Sequence, residues 1–315
     1  MGRQMREIFA DSLIRQMSEN EKIVVIDADL AKANGTLKIQ SIYPERAFDA
    51  GIAEQNMASM AAGMSAMGMI PFIGSFTPFA TRRICDQIAI SVCYAKRNVK
   101  IIGSDPGVSA ELNGGTHMSF EDIGVLRSLP GIVIYEPTDG VQLEQALPQI
   151  IAHDGPVYIR LFRKELPNIF DGKSYRFDLF KADVLREGSD VTLLATGIML
   201  AEAQLAAEVL HAAGIEAEVI NVHTIKPLDA ETILDSARRT GAVVTCENHN
   251  VIGGLGSAAA ELLSANCAVP MEYVGVKDHF GEVGEMDYLM KKYHLTATDI
   301  AAAAMRAIQR KGGGK

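Results

Sequence analysis

The chain has 315 residues, is 48% hydrophobic and carries a formal net charge of −9. This length and apolar content suffice for a large core and predict two domains, while the acidic balance argues against a nucleic-acid surface. The four cysteines show neither metal-ligand spacing nor a disulfide-dense pattern, which predicts reduced core residues of a cytoplasmic protein. The apolar run 57–73 is interrupted by glycines, serines and a proline, so we expect a buried helix entering a strand and no membrane span.

The first half of the chain alternates helical and strand patterns. A helix is predicted at 6–18, where apolar residues recur at helical spacing, and a strand at 22–27, where β-branched residues cluster. Further helices are predicted after Glu54 and at 77–94 and 141–152, with strands at 70–73, 99–102, 131–135 and 157–161. This alternation implies a mainly parallel sheet covered by helices on both faces.

A second series of strands and helices follows a looser segment that contains Pro167, Asp171 and Gly172. Its strands are predicted at 191–195, 217–222 and 242–246, and its helices at 201–213, 229–240 and 254–263. We therefore predict an α/β protein of two domains, each a mainly parallel sheet covered by helices. The predicted boundaries are 1–164 for the first domain, 165–188 for a linker and 189–315 for the second domain.

One carboxylate lies in an unusual setting. The segment Gly51–Met57 places Glu54 among small apolar residues at the start of a helix rich in Ala, Ser, Gly and Met. A carboxylate is favoured near a helix N-terminus, so a capping glutamate on a core helix is one interpretation. The segment also resembles the Gly-Ile-x-Glu-x-x-Met sequence of the transketolase family, which uses thiamine diphosphate. The resemblance implies that Glu54 bonds N1′ of the cofactor's aminopyrimidine and activates the cofactor.

An aromatic segment follows the next strand. Phe76 and Phe79 resemble family aromatics that pack against the pyrimidine, and flat apolar rings suit a flat heteroaromatic ligand. Two aromatics at a strand-to-helix turn are otherwise ordinary core residues. The family often spaces three aromatics as Phe-x-x-Phe-x-x-Tyr, and here Ile73 stands at the first position and Phe79 at the last. The resemblance thus places Ile73, Phe76 and Phe79 at the cofactor, with one ring and one hydroxyl missing.

The loop from Ser104 to His117 resembles the family loop that ends in Gly-x-Thr-His, and Phe-x-Asp-x-x-x-x-Arg-Ser-Leu-Pro follows it. The resemblance implies that His117 faces the donor sugar, where it would hydrogen-bond or exchange a proton. A loop histidine that caps the following turn is the other interpretation. Asn113 and Ser104 stand where the family has a sugar-contacting aspartate and a phosphate-contacting histidine, which implies an altered sugar specificity.

Two arginines are candidates for binding the anionic group at the end of the substrate away from the reacting carbonyl. Arg6 and Arg163 resemble family arginines that bind the substrate phosphate, and a planar guanidinium suits a tetrahedral oxyanion. The family's serine in this phosphate site corresponds to Ala33. Because both that serine and the histidine are replaced, the anion could be held differently or could be a sulfonate.

The resemblance covers nearly the whole chain but only the pyrimidine-binding and C-terminal domains of a full transketolase. The glycine-rich segment Glu247–Ser257 resembles part of the family's C-terminal domain. Its glycines resemble a phosphate-binding loop before a helix, and no catalytic role is predicted for it. The Gly-Asp-Gly loop that holds the diphosphate and the metal does not occur in the sequence. The resemblance therefore implies a separate N-terminal subunit that supplies the ligands of Mg²⁺ or Ca²⁺ in an α2β2 assembly. The small-residue face after Glu54 would form the interface.

Three functions are compatible with these residues. The first is the C-terminal subunit of a split transketolase that moves a two-carbon ketol unit from a ketose phosphate, or an analogous anionic ketose, to an aldose. The second is the β subunit of a 2-oxo-acid dehydrogenase first component; deoxyxylulose phosphate synthase is a further relative. The third is a non-catalytic subunit of the same fold. The Gly-x-Thr-His loop and Arg163 favour the first, and Glu54 argues against the third because a buried carboxylate without a ligand costs stability.

Overall fold

The computed structural model describes residues 3–312. Two sheets organise this part of the chain, as the alternation of strands and helices predicts. Its strands are β1 (Ile23–Asp27), β2 (Ala47–Asp49), β3 (Ile70–Phe76), β4 (Lys100–Ser104), β5 (Val133–Tyr135), β6 (Val157–Leu161), β7 (Asp183–Arg186), β8 (Val191–Ala195), β9 (Ala217–Asn221), β10 (Thr224–Lys226), β11 (Val243–Asn250) and β12 (Met271–Val276).

Helices cover both sheets. In chain order the α-helices are α1 (Met5–Glu19), α2 (Ala31–Asn34), α3 (Leu37–Ile42), α4 (Glu54–Ala66), α5 (Thr77–Ala80), α6 (Asp122–Arg127), α7 (Gly140–Ala152), α8 (Met199–Ala212), α9 (Ala230–Thr240), α10 (Leu255–Asn266), α11 (Met286–Lys292) and α12 (Ala297–Gly312). Within residues 3–312, none of these helices combines the length and the apolar composition that a membrane span requires.

The first sheet has seven strands in the spatial order β10-β5-β6-β4-β3-β1-β2, and all its pairings are parallel except that of β10 with β5. Consecutive residues of β3 point to opposite faces. Phe72 packs near Phe9 of α1, with ring centroids 6.3 Å apart. Ile73 belongs to the cluster on the other face, together with Met57 and Ala61 of α4. The sheet is therefore buried on both faces, which explains the uninterrupted apolar strands.

The second sheet has the order β12-β11-β8-β9-β7, again parallel except for one edge strand. That edge strand, β7, lies inside the segment predicted as a linker. Its side chains are only partly buried or exposed, so it lacks the apolar run by which strands such as β6 and β8 were predicted. No strand was predicted at β2, β10 or β12 either. One face of this sheet is covered by α8 and α12, and the other by α9 and α10.

The predicted single helix at 77–94 is broken. The α-helix α5 ends at Ala80, a 3-10 turn covers Arg82–Ile84, and a π-helical segment covers Gln87–Tyr94. Thr81 lies at the break with a non-helical backbone, and its hydroxyl donates to the carbonyl of Thr77, 2.7 Å away. This side-chain bond competes with the main-chain bond that would continue the helix. The break changes the direction of the two arginines that follow.

A buried ionic network joins the two domains. Arg160 of β6 donates to the carboxylates of Asp122 and Glu136 at 2.8 and 2.7 Å, and to the carbonyl of Asn248 in the second sheet at 2.6 Å. Burial disfavours the charge of Asp122, but Arg160 and His249 hold the pKa of this carboxyl below its usual value. Buried charges of this kind require close partners, and here one guanidinium is hydrogen-bonded to both carboxylates.

Candidate active site

A cavity of about 130 Å³ opens at the carboxyl ends of the parallel strands β1 and β3. This is the edge at which open α/β sheets bind ligands. The cavity is lined by Ala28, Asp29, Leu30, Ile52, Glu54, Phe76, Phe79, Arg83 and His117. Its volume is below the ~300 Å³ at which pockets for whole small-molecule ligands begin. The described residues therefore present a partial site, with room for part of a larger ligand.

Glu54 is the first residue of α4 and forms one wall of the cavity. Its side chain is 5% exposed, and its Oε1 accepts a hydrogen bond from Arg83 Nη1 at 2.6 Å. The position at a helix N-terminus favours a negative charge. The carboxylate thus has a cationic partner within the chain, and its side chain faces the cavity in addition to any role it has at the helix end.

Three rings form a second wall. The ring centroids of Phe76, Phe79 and His117 are 5.1 to 6.4 Å apart, and all three pairs are edge-to-face. The guanidinium carbon of Arg83 lies 3.8 Å from the Phe79 centroid, which is a close cation–π contact. His117 Nδ1 lies 2.8 Å from the hydroxyl of Thr116, so this hydroxyl orients the imidazole. A flat ring can pack against these side chains, with Nε2 of His117 beside it.

Arg163 lies next to this wall. Its guanidinium carbon is 5.1 Å from the Phe76 centroid, and its Nη2 contacts the carboxylate of Asp105. Burial raises the pKa of Asp105, and the cation of Arg163 opposes that effect. The pair is therefore a largely buried ion pair beside Phe76, with a small part of the Arg163 side chain accessible to solvent.

Arg6 lies on the other side of the Arg163 main chain. Its backbone N–H donates to the Arg163 carbonyl at 3.1 Å, and its Nη1 donates to the carbonyl of Ala33 at 3.2 Å. The side chain lines an adjoining groove of about 510 Å³ that also contains Arg3, Lys32 and Lys38, with Glu7 and Asp11 as acidic neighbours. The structure thus brings the main chains of Arg6 and Arg163 into contact. The Arg6 side chain lines a groove with further cations, and Arg163 is not among the residues that line this groove.

Besides Arg6 and Arg163, three further residues assigned to the site by resemblance do not line the cavity. Ile73 is fully buried in the core between the sheet and α4, because its position in β3 points it to that face. Ser104 is also fully buried, and its hydroxyl donates to Asn34 Oδ1 at 2.9 Å beneath the cavity floor. Asn113 is exposed at the end of the 107–113 turn and is not among the cavity residues. Ile73, Ser104 and Asn113 are therefore separate from the cavity that Glu54 faces.

Arg83 is the main residue that the sequence did not single out. The double arginine at 82–83 is visible in the sequence, but a continuous helix gives no reason to prefer either side chain. The break at Thr81 turns Arg83 toward Glu54 and Arg82 toward Glu121. Pro78 gives no signal for this break, because it lies in the first turn of α5, where the predicted helix also begins.

The glycine-rich segment of the second domain is not a phosphate cradle. The amides of Leu255 and Gly256, at the N-terminus of α10, donate to the carboxylate of Glu247 at 2.7 and 2.8 Å. Burial raises the pKa of Glu247 to about 8, although these two amides act in the opposite direction. An internal carboxylate therefore takes the place that a bound phosphate would need. Among residues 3–312, no group of three or more His, Cys, Asp or Glu side chains is arranged to hold a metal ion.

Comparisons with known proteins agree over almost the whole chain. The model of the transketolase pyrimidine binding domain matches residues 2–168, and that of the transketolase C-terminal domain matches residues 180–300. The 6-deoxy-6-sulfo-D-fructose transketolase subunit SqwH of Clostridium sp. (strain MSTE9) is 57% identical over 307 residues, which is 98% of this chain and 95% of that subunit. A putative transketolase C-terminal section of Methanocaldococcus jannaschii is 38% identical and covers 97% of this chain and 96% of its own length. A solved split-gene transketolase, described as an inactive β4 tetramer, matches with a TM-score of 0.91 at 44% identity and covers 98% of this chain and 100% of its own.

Proposed function

This chain belongs to the transketolase family, and from that premise we propose that it is the pyrimidine-binding subunit of a two-subunit, thiamine-diphosphate-dependent transketolase. It would transfer a two-carbon ketol unit from an anionic ketose to an aldose acceptor. One observation carries the proposal: the buried carboxylate of Glu54 faces a cavity walled by Phe76, Phe79 and His117.

The residues present fit the pyrimidine part of the cofactor. Phe76 and Phe79 would hold a flat ring, and Glu54 would hydrogen-bond one of its nitrogens. When bound, the cofactor supplies the carbon nucleophile that attacks the ketose carbonyl. The small volume of the cavity supports a partner subunit that completes the site with the diphosphate loop and the ligands of Mg²⁺ or Ca²⁺. An α2β2 assembly and a cytoplasmic location belong to the same proposal.

His117 would act on the hydroxyls of the substrate. The Thr116 hydroxyl engages Nδ1, and within the described residues no hydrogen bond engages Nε2. Nε2 can therefore donate to, or accept a proton from, a sugar hydroxyl next to the reacting carbon. The edge-to-face contacts with Phe76 and Phe79 fix the plane of the imidazole, which is what a proton exchange at a defined position requires.

Arg6 and Arg163 would bind the distal anion, and we propose that this anion is a sulfonate. Two hydroxyl- or imidazole-bearing residues that the family uses for phosphate are replaced here by Ala33 and by the buried Ser104. A sulfonate carries one charge, whereas a phosphate monoester carries nearly two at neutral pH, so fewer partners suffice for it. The 57% identical relative is named for a sulfonated ketose, which supports the same choice.

Two measurements test the proposal. Calorimetric titration of thiamine diphosphate and Mg²⁺ into the chain with and without a co-expressed N-terminal subunit should give binding only with the subunit. The complex should then favour 6-deoxy-6-sulfofructose over fructose 6-phosphate by at least about tenfold in kcat/KM, a difference of about 1.4 kcal/mol. Tight binding by the lone chain, or an equal preference for both ketoses, would contradict it. The relatives named as transketolase subunits favour this function over that of a 2-oxo-acid dehydrogenase subunit.

A further inference from the structure

We propose that Asn248, in the second sheet, is a positioning residue for Arg163. Through this residue the second domain affects how tightly the distal anion of the substrate is bound. The inference rests on the proposed role of Arg163. Up to residue 312, no residue of the second domain lines the cavity. At the N-terminus of α10, the amides of Leu255 and Gly256 are already bonded to Glu247. The second domain would nevertheless affect substrate binding through the side-chain amide of Asn248.

Asn248 is buried, and its side-chain amide and its carbonyl are hydrogen-bonded to the first domain. Its Oδ1 accepts from the amide of Val108 at 2.9 Å, and its Nδ2 donates to the carbonyl of Pro106 at 3.0 Å. Its own carbonyl accepts from Arg160 Nη2 at 2.6 Å. The side-chain amide therefore spans the two peptide groups on either side of Gly107 in the way that a neighbouring strand would. Loss of such a buried partner leaves both groups unsatisfied.

The bridged segment is shaped around this side chain. Gly107 has a φ of +58°, and a Cβ placed there would lie 2.1 Å from Asn248 Oδ1. Asp105, two residues earlier, has a φ of +54°, which is uncommon for a residue other than glycine. A backbone held in such a conformation persists only when its surroundings determine it. The two bonds from Asn248 supply that constraint from one side, and the bond from the Asp105 amide to the Leu161 carbonyl, 3.0 Å, supplies it from the other.

Asp105 transmits this position to Arg163. Its carboxylate is buried and contacts Arg163 Nη2, and the guanidinium of Arg163 lies over the Phe76 ring. Arginine has a long side chain with many rotamers. An ion pair with a carboxylate in a fixed position therefore restricts the orientation of its guanidinium group. A shift of the 105–108 segment would therefore move the guanidinium relative to the site while Glu54 and His117 stay in place.

The test uses the assembled two-subunit complex and two donors, one with the distal anion and one short ketose without it. In Asn248→Ala we expect KM for the anionic donor to rise about tenfold with kcat changed less than about threefold, and both constants for the short donor to stay near wild type. Asn266→Ala, at an exposed amide of α10 bonded only within its own helix, is the matched control and should change neither donor's constants.

Three further measurements make the outcome decisive. Asn248→Asp keeps an acceptor for Val108 and removes the donor to Pro106; it replaces the alanine variant if that variant does not fold. Arg163→Ala should show the same donor-specific rise in KM, and the double variant should be less than additive. An equal loss for both donors in either Asn248 variant would overturn the inference. If Arg163→Ala itself does not distinguish the donors, the proposed anion site is wrong; if it does and the Asn248 variants do not, only this inference is wrong.

Discussion

Arg83 donates a 2.6 Å hydrogen bond to Glu54, and its guanidinium carbon lies 3.8 Å from the centre of the Phe79 ring. One side chain thus contacts both the carboxylate and one of the rings that the proposed function assigns to the cofactor. Arg83 is 42% exposed and Glu54 only 5%, so the guanidinium lies on the solvent side of the carboxylate. A ring that reaches Glu54 must share the carboxylate with Arg83 or displace it.

Glu54→Gln should abolish activity and leave the fold intact. Glutamine keeps the shape and an acceptor for Arg83, but it cannot share a proton with a ring nitrogen. We expect kcat/KM of the two-subunit complex to fall by at least about 100-fold, in the range typical of a lost acid–base group. The free energy of unfolding should change by about 1 kcal/mol or less, since only the charge assistance of one hydrogen bond is lost. Full activity in this variant would exclude the cofactor assignment.

Arg83→Met should destabilise the chain more than Arg82→Met does. The two arginines are equally exposed at 42% and each makes a 2.6 Å ion pair, but Glu54 is 5% exposed whereas Glu121 is 36% exposed. Removing Arg83 leaves a nearly buried carboxylate without its cation, at a cost of about 1–2 kcal/mol. Removing Arg82 breaks a surface pair worth less than about 0.5 kcal/mol. Urea unfolding at pH 7 measures both, and equal losses would show that burial of Glu54 does not matter.

Ile90→Glu should weaken association with the N-terminal subunit. Ile90 lies in the π-helical segment that packs against α4. Two further exposed apolar side chains are Tyr94, at the end of this segment, and Met67, which directly follows α4. Exposed apolar side chains concentrated there are typical of an interface. Leu205→Glu in α8 is the control, because Leu205 is also 57% exposed. We expect at least a tenfold increase in the dissociation constant for the first variant only, measured by calorimetry. Similar constants for both variants would place the interface elsewhere.

The stability of the chain should depend on pH through His223. Burial lowers the pKa of this histidine to about 4, although the Lys181 carbonyl and the carboxylates of Asp178 and Asp229 act in the opposite direction. The unfolded chain titrates near 6.5, so unfolding takes up a proton between pH 6.5 and 4. Stability from the neutral imidazole is therefore complete above pH 6.5 and falls as the pH drops through that window.

His223→Gln removes this dependence. Relative to the variant, the wild type should lose roughly 3 kcal/mol of unfolding free energy between pH 7 and pH 4, by the linkage between proton uptake and stability. Chemical denaturation at several pH values gives the difference between the two proteins. A difference that is constant with pH would mean that the histidine is not held neutral by its surroundings.

The parts of this fold that follow from local pattern were predictable. Apolar strands such as 157–161 and amphipathic helices such as α1 are encoded by short-range periodicity. The strand β7 was not predicted, because a half-exposed edge strand has no such pattern. The helix break at Thr81 was not predicted either, since it depends on side-chain bonds that a helical pattern does not reveal.

The candidate site was predictable where a motif fixes the side chain. Glu54, Phe76, Phe79 and His117 converge on one cavity as the resemblance implies. Ile73 does not join them, because the alternation of side chains along β3 points it into the core against α4. A motif alignment does not show to which face of a strand a residue points. Arg83 was missed because its direction depends on the break before it.

The strand β10 joins the two domains in a way that affects how the chain can be divided. Thr224–Lys226 comes late in the sequence, among the elements of the second sheet, yet it is the edge of the first sheet and pairs with β5. Separating the halves at 165–188 would remove this strand and leave one edge of β5 unpaired, and exposed strand edges promote aggregation. The halves are therefore not interchangeable modules. A chimaera that exchanges either half with a homologue must therefore keep residues 224–226 compatible with β5 of the first half.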